Sequence, residues 1–215
     1  MRHGAGSFGE PDRGLLRIRT MRSLALSFLF ALSSFAGPVA AWTVPGSAEA
    51  DLRNGKAWAE VQPAPGGLAL IHAAIDIPAP AKTVWRVMND CRLLPRLITS
   101  TIGCRVLQAD PAHHTDVRET VTRGSFFLPT LHNVVREDFQ PYSSIRFAKA
   151  GGDLKAEQGE WRLEPIDGGA GTRVVYENLV GADIIAPAGL VRTGMRRDTA
   201  KVLGNLRRES LAAAK

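Results

Sequence analysis

The chain has 215 residues, 45% of them hydrophobic, with 27 Lys and Arg against 21 Asp and Glu and a formal charge of +6. That length suits one domain with a worthwhile core plus extra sequence at one end. The positive balance does not indicate a nucleic-acid binder, because the arginines are scattered and no basic run is interleaved with aromatics.

Residues 1–20 read as an upstream extension, with Met21 as a start. Arg17, Arg19 and Arg22 precede the apolar run LALSFLFALSSFAGPVAA, and small residues stand at Val39 and Ala41. Basic flank, apolar run and small residues are the parts of a secretory signal, here 21–41, with cleavage expected after Ala41 and a periplasmic or secreted mature chain. Ser33, Ser34, Gly37 and Pro38 interrupt the run and argue against a permanent anchor. Without residues 1–41, 22 basic and 19 acidic residues remain, a formal +3.

Residues 42–67 are rich in Ala, Gly and Pro and read as an arm or linker with room for a short helix. LALIHAAIDI predicts a strand over Leu68 to Ile77, ended by Pro78 and Pro80. Val84, Trp85, Val87 and Met88 then make one apolar helical face. Leu93, Leu94, Leu97 and Ile98 make a second short helix that tolerates Pro95 in its first turn. Cys91 and Cys104 are an even pair in a chain expected to be exported, which favours a disulfide.

From Gly103 onward six strand-like runs alternate with turn signals: CRVLQAD, HHTDVRETVTRGSFF, LHNVVREDF, SSIRFAKA, EQGEWRLEPI and TRVVYENLV. Their spacing predicts an antiparallel meander. After Pro187, Val191, Met195, Thr199, Val202 and Leu206 recur three and four apart and form one stripe on a helix. Six Arg and Lys residues fall mostly elsewhere around it. At about 20 residues the helix is roughly 30 Å long, enough to cross a small domain. The expected fold class is α+β, with a curved sheet around this helix and a hollow between them.

The order of elements resembles the START-like superfamily with the helix-grip fold, in particular its polyketide cyclase/dehydrase and coenzyme-Q-binding group. The resemblance is carried by IDIPAPAKTVWRVMND, CRVL, EQGEWRLEPIDGGAGTRVVYE and PAGLVRTGMRRDTAKVLGNLRRES, across residues 68–211. It implies a β-α-α-β6-α domain that binds or transforms apolar molecules; fold alone does not fix which.

Strand alternation nominates the lining of the hollow. Trp161, Val174, Tyr176 and Phe147 share inward faces, and Trp85, Met88, Leu97 and Met195 face the same interior from helices. If Val117 and Val121 point inward, Glu119 does too, and desolvation would raise its pKa. The opposite register, or a pair with an arginine at the rim, would keep Glu119 out. An inward Leu131 and Val135 bring Asn133 with them. Adjacent His113 and His114 point to opposite sides of a strand and cannot chelate one ion together. No CxxC, HExxH, GxSxG or phosphate-cradling loop occurs, so no metal site or cofactor is expected.

The expectation is an exported, non-catalytic carrier of a hydrophobic small molecule: lipid-like, quinone or polycyclic. The arginine face of the last helix leaves room for transient contact with an anionic membrane surface. One alternative is an aromatase/cyclase-type enzyme using Glu119, Asn133 and Tyr176. Another is a cell-envelope interaction module whose pocket is filled by its own side chains.

Overall fold

The computed structural model describes residues 42–124, 129–183 and 186–215. The expected signal at 21–41, the extension at 1–20 and the Phe126-Phe127 end of one predicted strand lie outside the described residues. Helices α1 (Glu49–Arg53), α2 (Ala81–Asn89), α3 (Leu94–Leu97) and α4 (Ala188–Ala213) accompany eight strands. The strands are β1 (Trp58–Ala64), β2 (Leu68–Ile77), β3 (Thr101–Asp110), β4 (Thr115–Thr122), β5 (Leu131–Gln140), β6 (Ser144–Gly152), β7 (Ala156–Ile166) and β8 (Gly171–Gly181). They form one antiparallel sheet in the order β1-β2-β8-β7-β6-β5-β4-β3, curved around α4 in the helix-grip arrangement.

The architecture departs from the sequence reading at its N-terminal side. The arm at 42–67 supplies α1 and an additional strand, β1, paired in register with β2 from Trp58↔Ala74 to Ala64↔Leu68. Pro63 is tolerated because β1 is an edge strand. Gly66 and Gly67, at φ 73° and 76°, make the turn into β2, a conformation that side chains other than glycine rarely adopt. α1 lies against the outer face of β2 and β8, where Ala48 and Leu52 meet Ala74 and Val175. Trp42 stacks on His72 with ring centroids 4.5 Å apart, and its carbonyl accepts a hydrogen bond from Arg162 at 2.6 Å.

On the inner face Ile75, Ile77, Val84, Val87, Leu163, Val174 and Leu203 form the main core. α4 is held there through its C-terminal half: Leu203, Asn205, Leu206, Glu209 and Ser210 are its buried residues. Two of those polar residues clasp α3. Asn205 Nδ2 donates to the Leu97 carbonyl at 2.8 Å, and Glu209 pairs with Arg96 at 2.8 Å. The N-terminal half of α4 runs beside edge strand β1 and leaves Val191, Met195 and Thr199 half-buried.

Cys91 and Cys104 are bonded, with Cα atoms 5.3 Å apart and a sequence separation of 13. The bond ties the start of the α3 segment to β3. In the chain-entropy description a loop of that size contributes about 3 kcal/mol. Replacing both cysteines by alanine is expected to cost about 2–3 kcal/mol in urea denaturation, with hydrogen exchange rising first in α3.

A cavity with a polar floor

Between the sheet and α4 lies a cavity of about 320 Å³. Helices α2, α3 and α4 contribute Met88, Leu94, Leu97, Ile98, Val202 and Leu206. Opposite them the sheet presents Ile145, Phe147, Trp161 and Tyr176. Trp161 and Tyr176 stack with centroids 3.9 Å apart, and Phe147 lies 6.2 Å from Tyr176. These aromatics touch, yet the space above them stays open. Gly159 makes the wall possible: a Cβ there would stand 2.7 Å from Phe147 Cζ and 2.1 Å from the Glu177 carbonyl oxygen.

The structure brings six of the expected lining residues together at the cavity: Met88, Leu97, Asn133, Phe147, Trp161 and Tyr176. Val174 is fully buried in the core beneath it. Trp85 stands apart from the lining, edge-on to Phe139 and Tyr142 with centroids 5.9 Å away in each case. Met195 lies on the half-buried stretch of α4 that does not reach the cavity.

The inward expectation for Val117, Glu119 and Val121 is corrected. Antiparallel pairing sets Thr120 opposite Asn133 and Arg118 opposite Val135, and directly paired residues share a face. With Leu131, Asn133 and Val135 turned in, β4 turns in Arg118, Thr120 and Thr122. Val117, Glu119 and Val121 therefore occupy the outer face. Glu119 there accepts a hydrogen bond from Arg105 at 2.5 Å and lies 3.7 Å from His132. The Arg105 bond holds its carboxyl below the usual range, the opposite of the rise an inward position implied.

What the outer Glu119 vacates, other polar groups fill. Arg118 is buried and pairs with Asp116 at 2.9 Å and Glu137 at 3.2 Å. Farther along β5, Asn133 donates a short hydrogen bond to Glu157. Asn178 donates to the Tyr176 hydroxyl at 2.8 Å. Asn133 and Glu137 are four residues apart, about 13 Å along the strand, so the floor carries two polar groups with Val135 between them.

Burial pushes the Glu137 carboxyl up to about 7. Arg118 opposes the rise, while Asp116 and Glu157 add to it. Burial also raises Glu157, against the lowering effect of the Asn133 and Asn178 amides. It keeps the Tyr176 phenol protonated well above its ordinary range.

Arg118, Glu137 and Glu157 were missed from sequence. Glu137 continues the same alternation as Leu131, Asn133 and Val135, and pairing β4 onto that face yields Arg118. Among the described residues no group of three His, Cys, Asp or Glu side chains could hold a metal ion, and no helix is long and apolar enough to cross a membrane.

Folding raises the Glu137 pKa from 4.5 to about 7, so the native state holds this proton more tightly than the unfolded chain. The stability this confers is fully present below 4.5 and is lost as pH rises through about 7. Glu137→Gln removes that dependence. Its stability relative to wild type is expected to improve by about 1–3 kcal/mol between pH 5 and pH 8 in urea titrations.

A family model described as polyketide cyclase / dehydrase and lipid transport matches residues 77–207. No curated protein sequence matches the chain. Among solved structures, the fold is similar to the ZhuI aromatase/cyclase of Streptomyces sp. R1128, with 17% identity over 69% of this chain and 96% of that one and a TM-score of 0.56. It is similar to a STAR-related lipid transfer protein of Xanthomonas axonopodis, at 14% identity, 73% and 94% coverage and a TM-score of 0.60. A protein of Thermus thermophilus shows 22% identity, 68% and 99% coverage and a TM-score of 0.57.

Proposed function

Because the chain belongs to the polyketide cyclase/dehydrase and lipid transport family, we propose that it is an exported carrier that encloses a hydrophobic small molecule between the sheet and α4. The observation that carries this reading is the cavity itself, walled by Phe147, Trp161 and Tyr176 and roofed by Val202 and Leu206. Apolar surface removed from water there contributes about 25 cal/mol per Å² to binding. Lipid-like, quinone and polycyclic molecules share the needed shape, a mostly apolar body with few polar atoms. An interaction module with a filled pocket fits less well, since 320 Å³ stands open.

Export is supported by the apolar run at 21–41 and by the Cys91–Cys104 bond, which suits an oxidising compartment. Arg197 and Lys201 stand exposed on α4, the helix whose other side roofs the cavity, and they suit transient contact with an anionic membrane during loading.

One feature favours the cyclase alternative. A carboxyl that titrates at about 7 inside a ligand cavity can take and return a proton near neutral pH, and Glu137 is such a group. In that reading Glu137 replaces Glu119 as the acid–base candidate, with Asn133 and Tyr176 orienting the substrate.

Native mass spectrometry and solvent extraction of the purified mature protein are expected to show a co-purified apolar molecule. Empty protein from several expression hosts would count against the carrier. Glu137→Gln separates the two readings: a carrier keeps its ligand, whereas a cyclase binds substrate and stops turning it over.

A further inference from the structure

The carrier reading names a hydrophobic ligand but not its polar end, and the cavity floor is specific about that end. Among the described residues the buried polar atoms left without a hydrogen-bond partner include Asn133 Oδ1, Glu137 Oε2, Asn178 Oδ1 and Asp116 Oδ1 as acceptors. Arg118 Nε is the corresponding donor in the same floor. Asn133, Glu137 and Arg118 line the cavity directly, and Glu137 Oε2 lies 3.2 Å from Arg118 Nη2 in an ion pair without hydrogen-bond geometry. Asp116 backs Arg118, and Asn178 backs Tyr176. Unmet acceptors thus outnumber unmet donors, and a buried acceptor without a partner is costly.

The charges point the same way. Asp116 and Glu137 both contact the single guanidinium of Arg118, while a third carboxyl, Glu157, accepts from Asn133 on the same floor. Asp116 and Glu137 both engage Arg118 through Nη2, which leaves Nε as the donor without a partner.

Resting on the carrier reading, we propose that the cavity selects ligands whose head group is uncharged and donates a hydrogen bond, a hydroxyl in particular, and rejects carboxylate and phosphate heads. A hydroxyl can donate to Asn133 Oδ1 or Glu137 Oε2 and can accept from Arg118 Nε, so it suits unmet groups of either kind. A carboxylate or phosphate brings acceptors alone into a floor already rich in them, and adds like charge at low dielectric. An ammonium head would meet the acceptors but would bury another charge. Burial raises both Glu137 and Glu157, which disfavours their ionised forms.

The test is a matched-chain series of dodecanol, dodecanoate and dodecylamine at pH 8, below their aggregation concentrations. Each is measured by displacement of a bound naphthalene-type apolar fluorophore from the mature protein. Dodecanol is expected to bind at least about tenfold tighter than dodecanoate, and tighter than the amine; a factor of ten corresponds to about 1.4 kcal/mol. Glu157→Gln removes one source of like charge and is expected to narrow the alcohol-to-acid ratio by about threefold or more. Glu137→Gln, which keeps the pocket's shape, gives a second reading of the same ratio.

Tighter binding of dodecanoate, preference for the amine, or a ratio that neither variant moves would overturn the proposal. So would a fluorophore that binds while none of the three displaces it, and in that case the carrier reading stands. Failure of the fluorophore to bind at all removes both.

Discussion

The arrangement of this molecule's interior turns on burying Arg118 between Asp116 and Glu137. A guanidinium taken out of water costs several kcal/mol unless opposite charge and hydrogen bonds accompany it. Here Asp116 comes from the same face of the same strand, and Glu137 is directly paired with Asp116 across β5. The three form a closed set that turns inward together or not at all. Shifting β4 by one residue would place Val117, Glu119 and Val121 on the cavity face and strip Arg118 of both partners. The outer face reinforces the choice, because Arg105, Glu119 and His132 line up there across β3, β4 and β5.

That commitment explains why the cavity is neither a plain apolar core nor a water-filled cleft. Its roof and walls are apolar, but its floor holds charge that the domain cannot expel. Packing the space shut would require covering those groups with side chains able to satisfy them. Instead Gly159 withdraws where Phe147 approaches, and Phe147, Tyr176 and Trp161 stack along the sheet rather than across the gap. Stability forgone in the open space and in the raised Glu137 carboxyl is offset elsewhere, by the main core, the outer cluster of α1 and the Cys91–Cys104 bond. Conflict between local packing and global stability is characteristic of functional sites.

Much of the fold could be read in advance because its signals are redundant. β6, β7 and β8 are bounded by Pro or Gly turns, and strand alternation made their inward aromatics Phe147, Trp161 and Tyr176 foreseeable. β1 was not: it is short, carries Pro63 and is followed by Pro65-Gly66-Gly67, which reads as linker until the edge position is known. The stripe on α4 was visible, but its buried end is partly polar. Asn205 and Glu209 are there for α3, a partner that periodicity alone cannot name. β4 misled for a similar reason. Two valines outweigh an arginine in any count of apolar residues, and only cross-strand pairing reveals that the arginine arrives with its counter-charges.

The anchoring of α4 is unequal along its length. Its C-terminal half is fixed by buried Leu203 and Leu206 and by the bonds to α3, so the roof residues Val202 and Leu206 sit at the firm end of the helix. The N-terminal half rests beside β1 through half-buried Val191, Met195 and Thr199, with Leu190 64% exposed. Local opening is least costly where buried apolar contact is least. The stretch of α4 that is least held is therefore one that does not line the cavity, while the clasp at Asn205 and Glu209 keeps α3 and the roof in register. The polar floor lies on the sheet, where the pairing of β4 with β5 holds Arg118, Asn133 and Glu137 in place.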